Sequence, residues 1–111
     1  MEYRICNSKD IPNNFFKAFP ISNIQVIIGK VNGRLFAFDN SCPHRGASLS
    51  KGELNGSRVV CYMHGYEYDV FSGKLEYIPP KCTAQSPEWK KSKDLKLFPV
   101  LEKEGSIYVE I

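Results

Sequence analysis

Apolar and polar positions alternate along most of the chain with a period of two. Arg34-Leu35-Phe36-Ala37-Phe38-Asp39 and Ser106-Ile107-Tyr108-Val109-Glu110-Ile111 alternate or nearly so, as strands with one buried face do. Ile24–Val31 is β-branched and mostly apolar, which predicts a more deeply buried strand. Turn residues punctuate these runs. Asn32-Gly33 joins two of them and is the strongest hairpin signal in the chain. Asn55-Gly56 divides Glu53-Leu54 from Arg58-Val59-Val60, Ser72-Gly73 follows the strand-like run 66–71, and Glu104-Gly105 precedes the last strand. No stretch carries a convincing amphipathic-helix pattern, so the expected class is all-β, an antiparallel sandwich or barrel. Phe15, Phe16, Phe36, Phe38 and Phe98 are expected in the core. Residues 79–96, with Pro79, Pro80 and Pro87 and five lysines, read as a long surface loop. A short helix is expected there at Glu88-Trp89-Lys90-Lys91.

Composition narrows the class without changing it. The 111 residues are 42% hydrophobic, 24% charged and 13% aromatic, which predicts one folded domain over 1–111 and excludes a disordered chain, a coiled coil or collagen. A net charge of +3 with interleaved signs is too weak to argue for nucleic acid. No apolar run approaches the roughly 18 residues of a membrane span. Met1-Glu2-Tyr3-Arg4-Ile5-Cys6 lacks the basic start and apolar stretch of a secretory signal. The expected location is therefore cytoplasmic, with no membrane and no nucleic-acid partner.

Cysteine and histidine change the picture most. The chain has four cysteines and only two histidines. One histidine stands in Cys42-Pro43-His44-Arg45-Gly46 and the other in Cys61-Tyr62-Met63-His64-Gly65. Each Cys-His pair follows a predicted strand and precedes a glycine, where a tight loop directs both side chains the same way. Two such loops side by side would present two thiolates and two imidazoles to one small space. A cytosolic chain and the Cys-His pairing both argue against disulfides. Zinc accepts a Cys2His2 set, but its usual fingers pair cysteine with cysteine and histidine with histidine. One of each per loop suits a two-iron centre with both cysteines on one iron and both histidines on the other. A structural zinc module is the alternative. Cys6 and Cys82 read as ordinary thiols.

These two motifs resemble the Rieske [2Fe–2S] family at every ligand position. The likeness extends more loosely over residues 31–80, including the Asp39-Asn40-Ser41 lead-in, Gly52, Asp69 and Ser72-Gly73. The resemblance implies an antiparallel β-sandwich with a small cluster-binding subdomain at about residues 40–82. It implies one [2Fe–2S] cluster per chain, with Cys42 and Cys61 on the buried iron and His44 and His64 on the outer one. Around these ligands it implies Arg45, Gly46, Gly65 and Tyr68, with Pro79 and Pro80 in a third loop over the cluster. Tyr68 matches a tyrosine that donates to a cysteine ligand. The extra cysteine pair of high-potential respiratory members is replaced by Ala47 and Met63, and their sulfur-bonding serine by Tyr66. Fewer hydrogen bonds to sulfur place the expected potential low in the family's range of roughly −150 to +300 mV.

The function so implied is that of a soluble ferredoxin. It would carry single electrons, as a monomer, from a flavin-dependent reductase to a terminal oxygenase or another oxidoreductase. Both histidines are committed to the cluster, so none remains for the mononuclear iron of an oxygenase. No glycine-rich nucleotide fingerprint follows a strand, which excludes a reductase. The chain is thus expected to catalyse nothing itself.

Overall fold

The computed structural model describes residues 1–42, 48–62, 65–79 and 94–111. Among these residues ten strands run in the order β1 Glu2–Asn7, β2 Phe15–Ile21, β3 Ile24–Val31, β4 Arg34–Asp39, β5 Glu53–Asn55, β6 Arg58–Val60, β7 Glu67–Asp69, β8 Leu75–Tyr77, β9 Val100–Lys103 and β10 Ser106–Glu110. They form three antiparallel sheets, ordered β1-β10-β9, β2-β3-β4 and β5-β6-β7-β8. Two single 3-10 turns, Ser8–Asp10 and Leu49–Lys51, complete the described elements. Among the described residues no helix is long and apolar enough to cross a membrane.

β3 is the hinge of the architecture because both of its faces are apolar. Ile27 and Val31 join Phe36, Phe38, Val59 and Tyr68 in one buried cluster, while Val26 and Ile28 join Ala37, Phe98, Ile107 and Val109 in another. Strand alternation sends neighbouring residues to opposite faces, so one mostly apolar strand serves two cores. The β3–β4 hairpin closes through Asn32 and Gly33, with φ of 52° and 78°, the pair of positive angles that a type I′ turn needs. Gly29 is required for space rather than for conformation. It pairs with Phe36 across the ladder, and a Cβ there would overlap the Phe36 ring. That ring stacks on Phe38 at 5.7 Å and meets Phe71 edge-on at 5.9 Å.

The expected strands β3 and β4 carry the predicted bounds, and the last strand ends one residue earlier than its pattern. Three expectations change. Phe15 is 37% exposed, because it points to the opposite face from Phe16 at the start of an edge strand, and only Phe16 packs on the core. The run 66–71 is a strand only over Glu67–Asp69. There the Asp69 carboxylate accepts the N–H groups of Phe71 and Ser72 at 2.8 and 2.9 Å, turning the chain out of the sheet. The end of the 79–96 loop is pinned into the fold. Leu95 is buried and donates its N–H to the Gly73 carbonyl at 2.7 Å, and the Lys96 carbonyl accepts the Asp39 N–H at 2.9 Å. The short helix expected at Glu88-Trp89-Lys90-Lys91 lies outside the described residues.

Candidate metal centre

Two thiols open the two candidate loops from adjoining walls of one core. Cys42 follows β4 and Cys61 follows β6 directly. Each is 1% exposed, and both belong to the buried cluster with Leu49, Val59, Tyr66 and Tyr68. The second loop is closed by backbone bonds: Cys61 N–H donates to the Tyr66 carbonyl at 2.8 Å, and Gly65 N–H to the Cys61 carbonyl at 2.9 Å. Gly65 has a φ of 75° and supports Pro79, whose Cγ would lie 3.2 Å from a Cβ at that position. The first loop leaves β4 through an Asx turn in which Ser41 N–H donates to the Asp39 carboxylate at 2.9 Å.

The β7 tyrosine reaches across to the first loop. Tyr68, fully buried, sets its hydroxyl 3.6 Å from the Cys42 sulfur. Tyr62, by contrast, is 49% exposed, with the Lys51 ammonium 6.0 Å from its ring centre. His44, Arg45 and Gly46 of the first loop, His64 of the second, and Pro80 lie outside the described residues, as do Ala47, Met63 and Cys82. Among the expected site residues the structure thus describes Cys42, Cys61, Gly65, Tyr68 and Pro79.

One further residue supports the site from within the lead-in to the first loop. Asn40, 7% exposed, is the only buried polar or charged side chain among the described residues. Its amide nitrogen donates to Gln25 Oε1 at 3.0 Å and to Ser48 Oγ at 2.8 Å, and its Oδ1 accepts the Ser50 N–H at 2.8 Å. Its carbonyl accepts the Leu49 N–H at 2.8 Å. Asn40 therefore binds together the chain entering and leaving the first loop. The sequence signal was an asparagine two residues before a candidate ligand, with nothing to say that it would be buried.

Two other titratable groups are shifted. Burial alone would raise the Asp69 carboxyl, but the N–H groups of Ser72 and Phe71 and the hydroxyls of Ser72 and Ser57 hold it below the usual value. Burial, with help from nearby Asp10, pushes the Cys6 thiol up. Cys6 belongs to the other buried cluster, away from Cys42 and Cys61.

The donor chemistry fits a metal centre. A pair of thiolates this deep in an apolar core is costly unless a cation compensates them. Sulfur donors walled by Leu49, Val59, Tyr66 and Tyr68 suit iron held out of water.

The comparisons with known proteins agree. The profile of the family described as "Rieske [2Fe-2S] domain" matches residues 1–99. The ferredoxin component of the naphthalene 1,2-dioxygenase/salicylate 5-hydroxylase systems of Ralstonia sp is 31% identical over 91 residues, covering 82% of this chain and 77% of the relative. Apoptosis-inducing factor 3 of Homo sapiens is 35% identical over 79 residues, 71% of this chain. The chain spans only 13% of that relative's length. A solved complex of reduced oxygenase and oxidized ferredoxin in carbazole 1,9a-dioxygenase contains a chain that superimposes with a TM-score of 0.80 at 25% identity, covering 97% of this chain and 91% of that one. These matches leave the zinc-module alternative without support. The chain belongs to the Rieske [2Fe–2S] domain family, and its cofactor is one [2Fe–2S] cluster.

Proposed function

We propose that this protein is a Rieske-type ferredoxin that carries single electrons from a flavin-dependent reductase to a terminal oxygenase or another acceptor and catalyses no reaction of its own. The observation that carries the reading is the pair of buried thiols, Cys42 and Cys61, opening two loops from one apolar core with the Tyr68 hydroxyl beside the first sulfur. Its support from relatives is the ferredoxin component of Ralstonia sp and the oxygenase–ferredoxin complex. Cys42, His44, Cys61 and His64 hold the cluster, with Arg45, Gly46, Gly65, Tyr68, Pro79 and Pro80 around them. When bound, the cluster supplies a centre that accepts and releases one electron.

This chain's own residues shape that centre. Leu49, Val59 and Tyr66 exclude water from the sulfurs, which keeps the reorganisation of solvent small. Tyr68 donates toward the Cys42 sulfur and so favours the more negative, reduced state. Residues 1–111 act as one domain with its cluster-binding part at about 40–82. The buried cluster running from Ile27 of β3 to Cys61 and Val70 supports treating the two parts as continuous. We place the protein in the cytoplasm as a monomer. A reducing compartment suits Cys6, a free cysteine among the described residues.

Iron and acid-labile sulfide assays on the purified protein test the reading, together with visible and EPR spectra. Two irons and two sulfides per chain and a Rieske-type EPR signal after reduction are expected, with the signal lost in Cys61→Ser. Colourless protein without iron or sulfide after anaerobic reconstitution would overturn it.

A further inference from the structure

The two ligand loops must stand at a fixed separation for four side chains to meet one cofactor, and the described residues contain a continuous link between them. It begins at Asn40, two residues before Cys42. From there its carbonyl takes the Leu49 N–H and its Oδ1 takes the Ser50 N–H, each at 2.8 Å. Leu49–Lys51 forms a 3-10 turn whose Leu49 carbonyl accepts the Gly52 N–H at 3.0 Å. Gly52 then lies against the backbone of Val60, the residue before Cys61. A Cβ on Gly52 would overlap the Val60 carbonyl oxygen and lie 3.1 Å from its carbon and 3.3 Å from the Leu49 oxygen. The atoms in the way are backbone, so no side-chain rotation relieves them.

Gly52 does not owe its identity to its conformation. Its φ of −87° and ψ of −156° are open to any residue. What the position demands is a bare Cα, so that the turn leaving the first loop closes onto the strand entering the second. The geometry points to a strut, Asn40 to Gly52 to Val60, that sets the spacing of the two ligand loops, with Asn40 and Gly52 as positioning residues for the cluster. The inference rests on the ligand assignment proposed above.

Adding a methyl group at Gly52 forces Val60, and Cys61 with it, away from the first loop. Replacing Asn40 with alanine frees the other end of the strut. The test compares wild-type holoprotein with Gly52→Ala, Asn40→Ala and Gly56→Ala. Gly56 is the control, since it turns the same β5–β6 hairpin at a φ of 62° but a Cβ there meets nothing within 4 Å. Gly56→Ala strains the hairpin without touching the spacing.

Redox titration should show Gly52→Ala and Asn40→Ala each changing the ratio of reduced to oxidised protein at a fixed potential by at least about threefold. That corresponds to about 28 mV for a one-electron couple. Their EPR signals should shift or broaden, while Gly56→Ala superimposes on the wild type. Circular dichroism identifies which variants fold, and Asn40→Ala decides the matter if Gly52→Ala does not. Unchanged potentials and spectra in both strut variants would overturn the strut, as would the same shift in Gly56→Ala. Wild-type protein lacking any cluster signal would instead overturn the ligand assignment itself.

Discussion

The Tyr68 hydroxyl lies 3.6 Å from the Cys42 sulfur across the buried core, 26 residues apart in the chain. β7 is only three residues long, yet its register against β6, with Val59 opposite Tyr68, aims the phenol at the loop that leaves β4. A short strand of the β5-β6-β7-β8 sheet thereby reaches a sulfur presented from the end of the β2-β3-β4 sheet.

Tyr68→Phe removes one hydrogen bond from that sulfur and leaves the ring in place. The bond favours the reduced state, so its loss lowers the reduction potential. A differential of about 1 kcal/mol corresponds to about 40 mV for one electron. Spectroelectrochemistry of the wild type and variant checks this, and a potential that stays or rises would show that Tyr68 does not donate to the ligand sulfur.

The hydrophobic pattern made β3, β4 and most of β10 legible, because β4 and β10 alternate and β3 is β-branched and mostly apolar. β1, β2, β8 and β9 carried weaker signals. Pro20 interrupts β2, and β9 pairs through Leu101 and Glu102 with little of its own side-chain area buried. Their strand character comes from the ladder partners, which no local pattern announces. For the site, Cys42 and Cys61 stood out by their spacing to histidine. Asn40 and Gly52 did not stand out as parts of a link, because their importance lies in contacts to Ser48, Ser50 and Val60 that exist only after folding. The Asp69 turn was hidden in the same way, inside a run that reads as strand.

The Asp69 carboxyl is held below its ordinary value by the turn it caps. A carboxylate whose folded value is depressed contributes stability that is present above the unfolded value and is lost as pH falls through the folded one. Acid should therefore weaken the fold below the usual carboxylate range, partly by opening the 69–73 turn. Asp69→Asn keeps an acceptor oxygen but no charge. Its urea midpoint should be lower than the wild type's at pH 7, and the difference should shrink as both approach pH 3. A gap that is constant across pH would assign the effect to packing instead.

Cys6 presents the opposite sign. Its thiol is pushed up chiefly by burial and then by Asp10, so the unfolded chain ionises first as pH rises. Stability from this group is intact below the ordinary thiol value and is lost as pH climbs through the folded one. Because the thiolate is the reactive form and the residue is 8% exposed, native Cys6 should react with an alkylating reagent at pH 8 at least about tenfold more slowly than in denaturant. Peptide mapping separates it from the other thiols. Equal rates in both states would mean that β1 opens readily.

Gly29→Ala tests the packing that supports the β2-β3-β4 sheet. The added methyl overlaps the Phe36 ring and lies 2.7 Å from the Phe15 carbonyl oxygen and 2.8 Å from the Phe16 Cβ. Overpacking of this kind costs about 1–3 kcal/mol, which lowers the urea midpoint with an unchanged slope. Phe36→Leu also destabilises on its own, because it empties space beside Phe38 and Phe71. Combined, the two changes should cost less than their sum, since the smaller side chain makes room for the methyl. Relief stays partial because the Phe15 oxygen is backbone and cannot move aside. Strict additivity in the double variant would show that the ring of Phe36 is not what keeps position 29 bare.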